Sequence, residues 1–103
     1  MSNPPKTLFK AVEYLKNSMH EVDLELIKMK PEKELIMLHF TLGKWIRNNF
    51  GLADRENKEL LYSCAENSDS KTIYPDIGIA FLEADHASQI IIQALWYDLN
   101  KEE

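Results

Sequence analysis

Leu35, Leu38, Leu42, Trp45 and Ile46 recur at three- and four-residue spacing in a stretch bounded by Pro31 and Gly51. A strand turns alternate side chains to opposite faces, so no strand keeps these five on one side, whereas a helix does. The stripe commits the middle of the chain to an amphipathic helix at about 31–49. Pro31 serves as its first residue and Gly51 as its stop. Ile36, His39 and Phe40 widen the apolar face, which predicts a central helix packed on several sides.

The flanking segments carry weaker versions of the same pattern. After Pro4 and Pro5, Thr7 is a good N-cap, and Leu8, Ala11, Val12 and Leu15 follow at helical spacing, predicting a helix at about 7–18. "EVDLELIKMK" places Val22, Leu26 and Met29 near one face, with acids early and lysines late as the helix dipole favours. Asp54 is positioned to cap a fourth helix, "RENKELLYSCAEN", buried through Leu60, Leu61 and Cys64. "SDSKTIYPDIG" reads as a loop, and "IGIAFLE" as a short strand or extended segment. Asp85 is positioned to cap a last helix with Ile90, Ile91, Ala94 and Leu95 inward. The fold expected is all-α: a single domain over 1–103, a compact bundle of four to five helices. One longer loop at about 66–82 leaves room for a short extended segment, and 1–6 and 100–103 are expected as loose tails.

A chain of 103 residues with 45% apolar side chains can build one core. No apolar run approaches the roughly 20 residues needed to cross a bilayer, and "MSNPPKTLFK" lacks the apolar core of a secretion signal. The single cysteine, Cys64, has no intramolecular partner, which fits a reducing compartment. A cytoplasmic protein without membrane contact is the expectation. Net charge is −5, unevenly spread: residues 1–51 carry 8 basic and 6 acidic side chains (+2), residues 52–103 carry 4 and 11 (−7). Direct nucleic-acid binding is disfavoured, because no dense basic patch is available to meet phosphates. Glu66, Asp69, Asp76 and Glu83, opposed locally by Lys71 alone, suggest an acidic surface for a basic protein partner.

Little in the chain suggests chemistry. His20, His39 and His86 lie in different segments, and no pair has the spacing of a helical zinc site. With glycines only at 43, 51 and 78, there is no phosphate-cradling loop, and no nucleophile-elbow or CxxC motif is present. Neither a metal nor a cofactor is expected, and no residue is singled out as catalytic. Cys64 reads as a packed thiol and His39 as a hydrogen-bonded core histidine. Trp45 and Trp96 read as core residues. Gly43 in mid-helix costs about 1 kcal/mol relative to alanine, and close approach of another backbone is the reason expected for it.

"RNN" is the exception. Arg47 lies near a helix end, where its charge suits the dipole, and Trp45 and Ile46 beside it predict a partly covered stem. A covered guanidinium needs acceptors, since an unpaired buried charge is expensive. "LEADHAS" offers them, so Arg47 and Asn48 are expected to tie the end of the third helix to the Glu83–Asp85 turn.

These same residues carry a resemblance. "HFTLGKWIRNNFGL" (39–52), "EADHASQIII" (83–92) and a "PKTLFKAVEYL" start resemble a family of small uncharacterised bacterial proteins, a domain of unknown function. Its members look like HFxLGxWIRNxxGLW followed by HPDDxSxII. The likeness covers most of the chain. The first motif matches closely. The second departs, with Glu83-Ala84-Asp85-His86 in place of His-Pro-Asp-Asp, keeping Asp85 and the later Ser88. The resemblance implies a shared fold and a clustered polar corner, but no activity.

Two classes of function remain. One is a non-enzymatic, acidic protein-binding module, most concretely an immunity- or antitoxin-like inhibitor of a basic partner such as a toxin nuclease; a phage or mobile-element inhibitor of a host defence complex would look the same. The other is a small enzyme or ligand-binding domain with His39, Arg47, Asn48, Asp85 and Ser88 around a polar pocket. A homodimerising structural protein is the plainest alternative. Geometry separates the first two: side chains that satisfy one another make a clamp, side chains that converge on open space make a pocket.

Overall fold

The computed structural model describes residues 4–53, 56–66, 72–74, 79–81 and 84–101. The Thr7 hydroxyl accepts from the Lys10 N–H at 3.2 Å and opens α1 (Leu8–Ser18), which buries Ala11, Val12 and Leu15 as the spacing predicts. α2 (Glu21–Met29) follows and gives the first correction. Val22, Leu26 and Met29 are 68%, 58% and 74% exposed, while Leu24 and Ile27 face the core. At about 100° per residue the two sets lie on opposite sides of the helix, so α2 is apolar on both faces and covered on one. The choice is made at its C-terminal end. There the Trp96 indole N–H donates to the Lys30 carbonyl at 2.8 Å and the Asn100 amide to the Lys28 carbonyl at 3.3 Å.

The third helix is not one regular α-helix. Glu32–Leu38 is wound as a 3₁₀ helix, His39–Gly43 as a π turn, and only α3 (Lys44–Asn49) is regular. Over-winding is followed by under-winding and the two largely cancel, so Leu35 and Ile46 still share the core side that an unbroken helix would give them. The same winding leaves Ile36, Met37 and Phe40 exposed, Phe40 by 81%, so the widened apolar face predicted there is not buried. Trp45 is also partly exposed, packed in an aromatic triad with Tyr14 and Phe50.

α3 ends as Gly51 predicts, at a positive φ of 73°. The Leu52 N–H then closes back on the Arg47 carbonyl at 3.1 Å, the six-residue bond that satisfies a helix end. The Asn57 N–H bonds the Gly51 carbonyl at 3.1 Å, so the connection extends to residue 57 and α4 begins at Lys58 (Lys58–Glu66). Asn57 caps it through Oδ1 to the Leu60 N–H, in place of the cap predicted at Asp54, which lies outside the described residues. Leu60, Leu61, Cys64 and Ala65 are buried. Inside the predicted loop, β1 (Thr72–Tyr74) pairs antiparallel with β2 (Ile79–Phe81), Ile73 opposite Ala80, and β2 lies against α4.

α5 (Ala84–Lys101) holds the centre that the sequence assigned to the third helix. It contacts α1, α2, α3, α4 and the irregular 32–43 segment, burying Ala87, Ser88, Ile91, Ile92, Leu95 and Leu99. The ends are tied where they are described: Pro5 is buried with its carbonyl accepting from Asn57, and Asn100 is bonded to α2. The architecture is an all-α bundle with one small hairpin. Among the described residues no helix is long and apolar enough to cross a membrane.

Candidate functional site

Arg47, in the last turn of α3, points across to the first turn of α5. Its Nη1 donates to Ser88 Oγ at 3.0 Å and its Nη2 to the His39 carbonyl at 3.1 Å. Its Nε lies 3.5 Å from Asp85 Oδ1. The Ser88 hydroxyl passes the contact on, donating to the Asp85 carbonyl at 3.0 Å. The Arg47 side chain is 13% exposed and that of Asp85 66%. The covered charge is therefore satisfied mainly by neutral oxygens, with the carboxylate at the rim adding a screened attraction. This arrangement joins α3, α5 and the π turn, whose irregular ladder sits where the His39 carbonyl takes an arginine donor.

Gly43 is part of the same construction. A Cβ there would sit 3.1 Å from Arg47 Nη1, 3.4 Å from the Leu38 carbonyl oxygen and 3.7 Å from the Ile92 side chain. The missing side chain makes room first for a guanidinium; the one backbone atom close to it is the Leu38 carbonyl of the preceding turn, not, as expected, the backbone of another element. Asp85 lies one residue inside α5 instead of capping it.

Two expected members stay apart. Asn48 is exposed and has no bond to the clamp among the described residues, while Asn49 donates to the Trp45 carbonyl at 2.8 Å. The His39 ring is half-buried and packs edge-to-face on Phe40, centroids 4.9 Å apart, so only its main chain reaches Arg47. It is not a core histidine. Of the acidic surface, Glu66 is exposed at the end of α4; Asp69, Asp76 and Glu83 lie outside the described residues. Among the described residues no three His, Cys, Asp or Glu side chains gather as a metal site. Cys64 is packed against the Ala87 carbonyl, and burial pushes its thiol up to about 12.

A second polar knot escaped the sequence reading. Asn57 is 3% exposed and donates to the Pro5 and Phe50 carbonyls at 2.7 and 2.8 Å while capping α4. The available signal was a cap-type residue just before the Leu60-Leu61 doublet, outweighed by Asp54 three residues earlier.

Residues 4–99 match a family described as a domain of unknown function, DUF6794. The chain belongs to this family. The match spans both polar knots, from Pro5 and Asn57 to Arg47 and Ser88, so the clamp lies within the DUF6794 domain. No curated protein and no solved structure matches the chain.

Proposed function

We propose that this DUF6794 domain is a non-enzymatic protein-binding module for a basic partner. The observation that carries the reading is large apolar surface left uncovered on a small domain. Phe9 on α1 and Tyr97 on α5 are both more than half exposed. They flank two adjoining open grooves that share Leu8, Ala94 and Asp98. Exposed aromatics beside shallow grooves are the usual anchors of protein contacts. The net charge of −5 favours a basic partner and speeds encounter with it.

The polar corner supports the same conclusion from the other side. A pocket of His39, Arg47, Asn48 and Asp85 would need free donors on open space, and Arg47, its side chain mostly covered, spends three of its five on Ser88, the His39 carbonyl and Asp85. The most concrete form of the proposal is an immunity- or antitoxin-like inhibitor of a toxin such as a nuclease, acting in the cytoplasm. The test is co-purification from the native host with the wild type and with a Phe9→Asp/Tyr97→Asp variant of unchanged melting temperature. A basic protein retained by the wild type, released by salt, missing from the variant and losing its own activity on re-addition of the wild type supports the proposal. Equal capture by both proteins sinks this surface, and turnover of a small molecule by the purified chain sinks the non-enzymatic reading.

A further inference from the structure

A second uncovered face lies on α2, away from Phe9 and Tyr97, and its charges are arranged to fit themselves. Val22, Leu26 and Met29 form a stripe at i, i+4 and i+7 on the side opposite the buried Leu24 and Ile27. An apolar stripe on a helix normally faces another packed element. Leu26 also forms one wall of an open groove with Met19, Leu38 and Leu42, which extends the apolar area beyond the stripe. Asp23 and Lys30 line that same groove and so share one flank of α2.

Along α2 the acids come first, Glu21, Asp23 and Glu25, and the lysines last, Lys28 and Lys30. The order that suits the dipole within one chain also makes the helix complementary to a reversed copy of itself. We propose that the outer face of α2 pairs antiparallel with α2 of a second copy of this chain, about a two-fold axis near Leu26. Leu26 then meets Leu26 of the second copy, and Val22 meets Met29. A two-fold lying in the interface at right angles to the helices keeps each flank on its own side. The groove-side flank of one helix therefore runs along the groove-side flank of the other, in the opposite direction. With the axis at Leu26, Asp23 falls within about 1.5 Å along the helix of Lys30 of the second copy, one residue's rise. Two such ion pairs form, one at each end. A parallel pairing, with the two-fold along the helices, exchanges the flanks and would set Asp23 beside Glu21 and Glu25 of the second copy and Lys30 beside Lys28, which like-charge repulsion opposes.

The contact is a short helix plus a groove edge, at the small end of specific interfaces, so the dimer is concentration-dependent. This inference does not depend on the basic partner, which is assigned to a different face.

The test is analytical ultracentrifugation of the full chain from about 10 µM to about 1 mM, spanning weak affinities. The wild type is expected to rise from 12.0 kDa toward twice that mass. Leu26→Glu is expected to stay monomeric with an unchanged melting temperature, since its side chain faces outward. Asp23→Lys and Lys30→Asp each place like charges across the axis and are expected to weaken association about tenfold or more. Mixing the two variants is expected to restore it, because the heterodimer sets lysine against aspartate at both ends. A wild type that remains at 12.0 kDa throughout overturns the proposal. So does association that survives Leu26→Glu, or two charge variants that associate no more strongly mixed than apart.

Discussion

Replacing Arg47 with alanine removes hydrogen bonds to Ser88 Oγ and the His39 carbonyl and the contact with Asp85. A hydrogen bond to a covered charged group contributes roughly 1.5–3 kcal/mol. The lower end applies here, because Ser88 keeps its second bond to the Asp85 carbonyl. Asp85 is two-thirds exposed, so its attraction is screened and adds less than about 1 kcal/mol. The sum is about 3 kcal/mol, which in a domain of this size lowers the melting temperature by about 12–24 °C. Circular dichroism melts of Arg47→Ala, Ser88→Ala and Asp85→Asn check it. Arg47→Ala should exceed the other two, with Asp85→Asn the mildest. Arg47→Lys should recover little, because one ammonium cannot span Ser88 and the His39 carbonyl as the fork does. A drop below about 4 °C for Arg47→Ala refutes the clamp. An Asp85→Asn loss as large as that of Arg47→Ala refutes the division between neutral oxygens and the exposed carboxylate.

Gly43→Ala gains about 1 kcal/mol of helix propensity but sets its Cβ 3.1 Å from a pinned guanidinium nitrogen. Urea unfolding should show a net loss in the wild type and a net gain in Arg47→Ala; equal effects in both backgrounds would contradict the steric account. Asn57→Ala leaves the Pro5 and Phe50 carbonyls and the Leu60 N–H without their partner, and should lower urea-measured stability by about 3 kcal/mol. The Cys64 thiol has an ordinary pKa of 9.0, raised by burial to about 12 in the fold. The stability this gives is complete below pH 9.0 and lost as pH rises toward 12. Cys64→Ala should flatten that alkaline loss in pH-dependent melts, and native Cys64 should react with thiol reagents far more slowly than the unfolded chain. At the acid side, the Lys16 ammonium, aided by Lys101, holds the Asp98 carboxyl below its ordinary value against the opposing effect of burial. Its stabilisation is present above the ordinary carboxylate value and disappears as pH falls through the lowered one. Asp98→Asn should therefore make stability less steeply pH-dependent below about pH 4, the ordinary carboxylate value.

Much of the polar clamp was legible because its physics is local. A covered arginine one turn from a helix end must find acceptors, and "LEADHAS" offered them in Asp85 and Ser88. What the residues could not show was which oxygens would take the guanidinium. Asn48 was expected to join Arg47 in that tie, but its position in the turn carries it to solvent. His39 enters through its carbonyl, a contact that arises only because the chain there leaves the α-helical ladder.

Local pattern alone sufficed for the all-α class, the inward face of α1, the buried side of α4 and the stop at Gly51. Each rests on interactions within a turn or two of chain: side-chain periodicity, an N-cap at Thr7, a positive φ that glycine adopts freely. Tertiary structure decided the rest. α2 has two apolar faces of similar merit, and the one that turns inward is the one that lets Trp96 and Asn100 reach its last carbonyls. The 32–43 segment has a helical sequence, yet it winds irregularly where the His39 carbonyl takes the Arg47 guanidinium and Gly43 clears Arg47 and Ile92. α5 became the centre because five other segments close around it. Local pattern fixes that a segment is helical and which of its faces are apolar; only contacts distant in sequence choose among those faces, since their free energies do not exist until the partners meet.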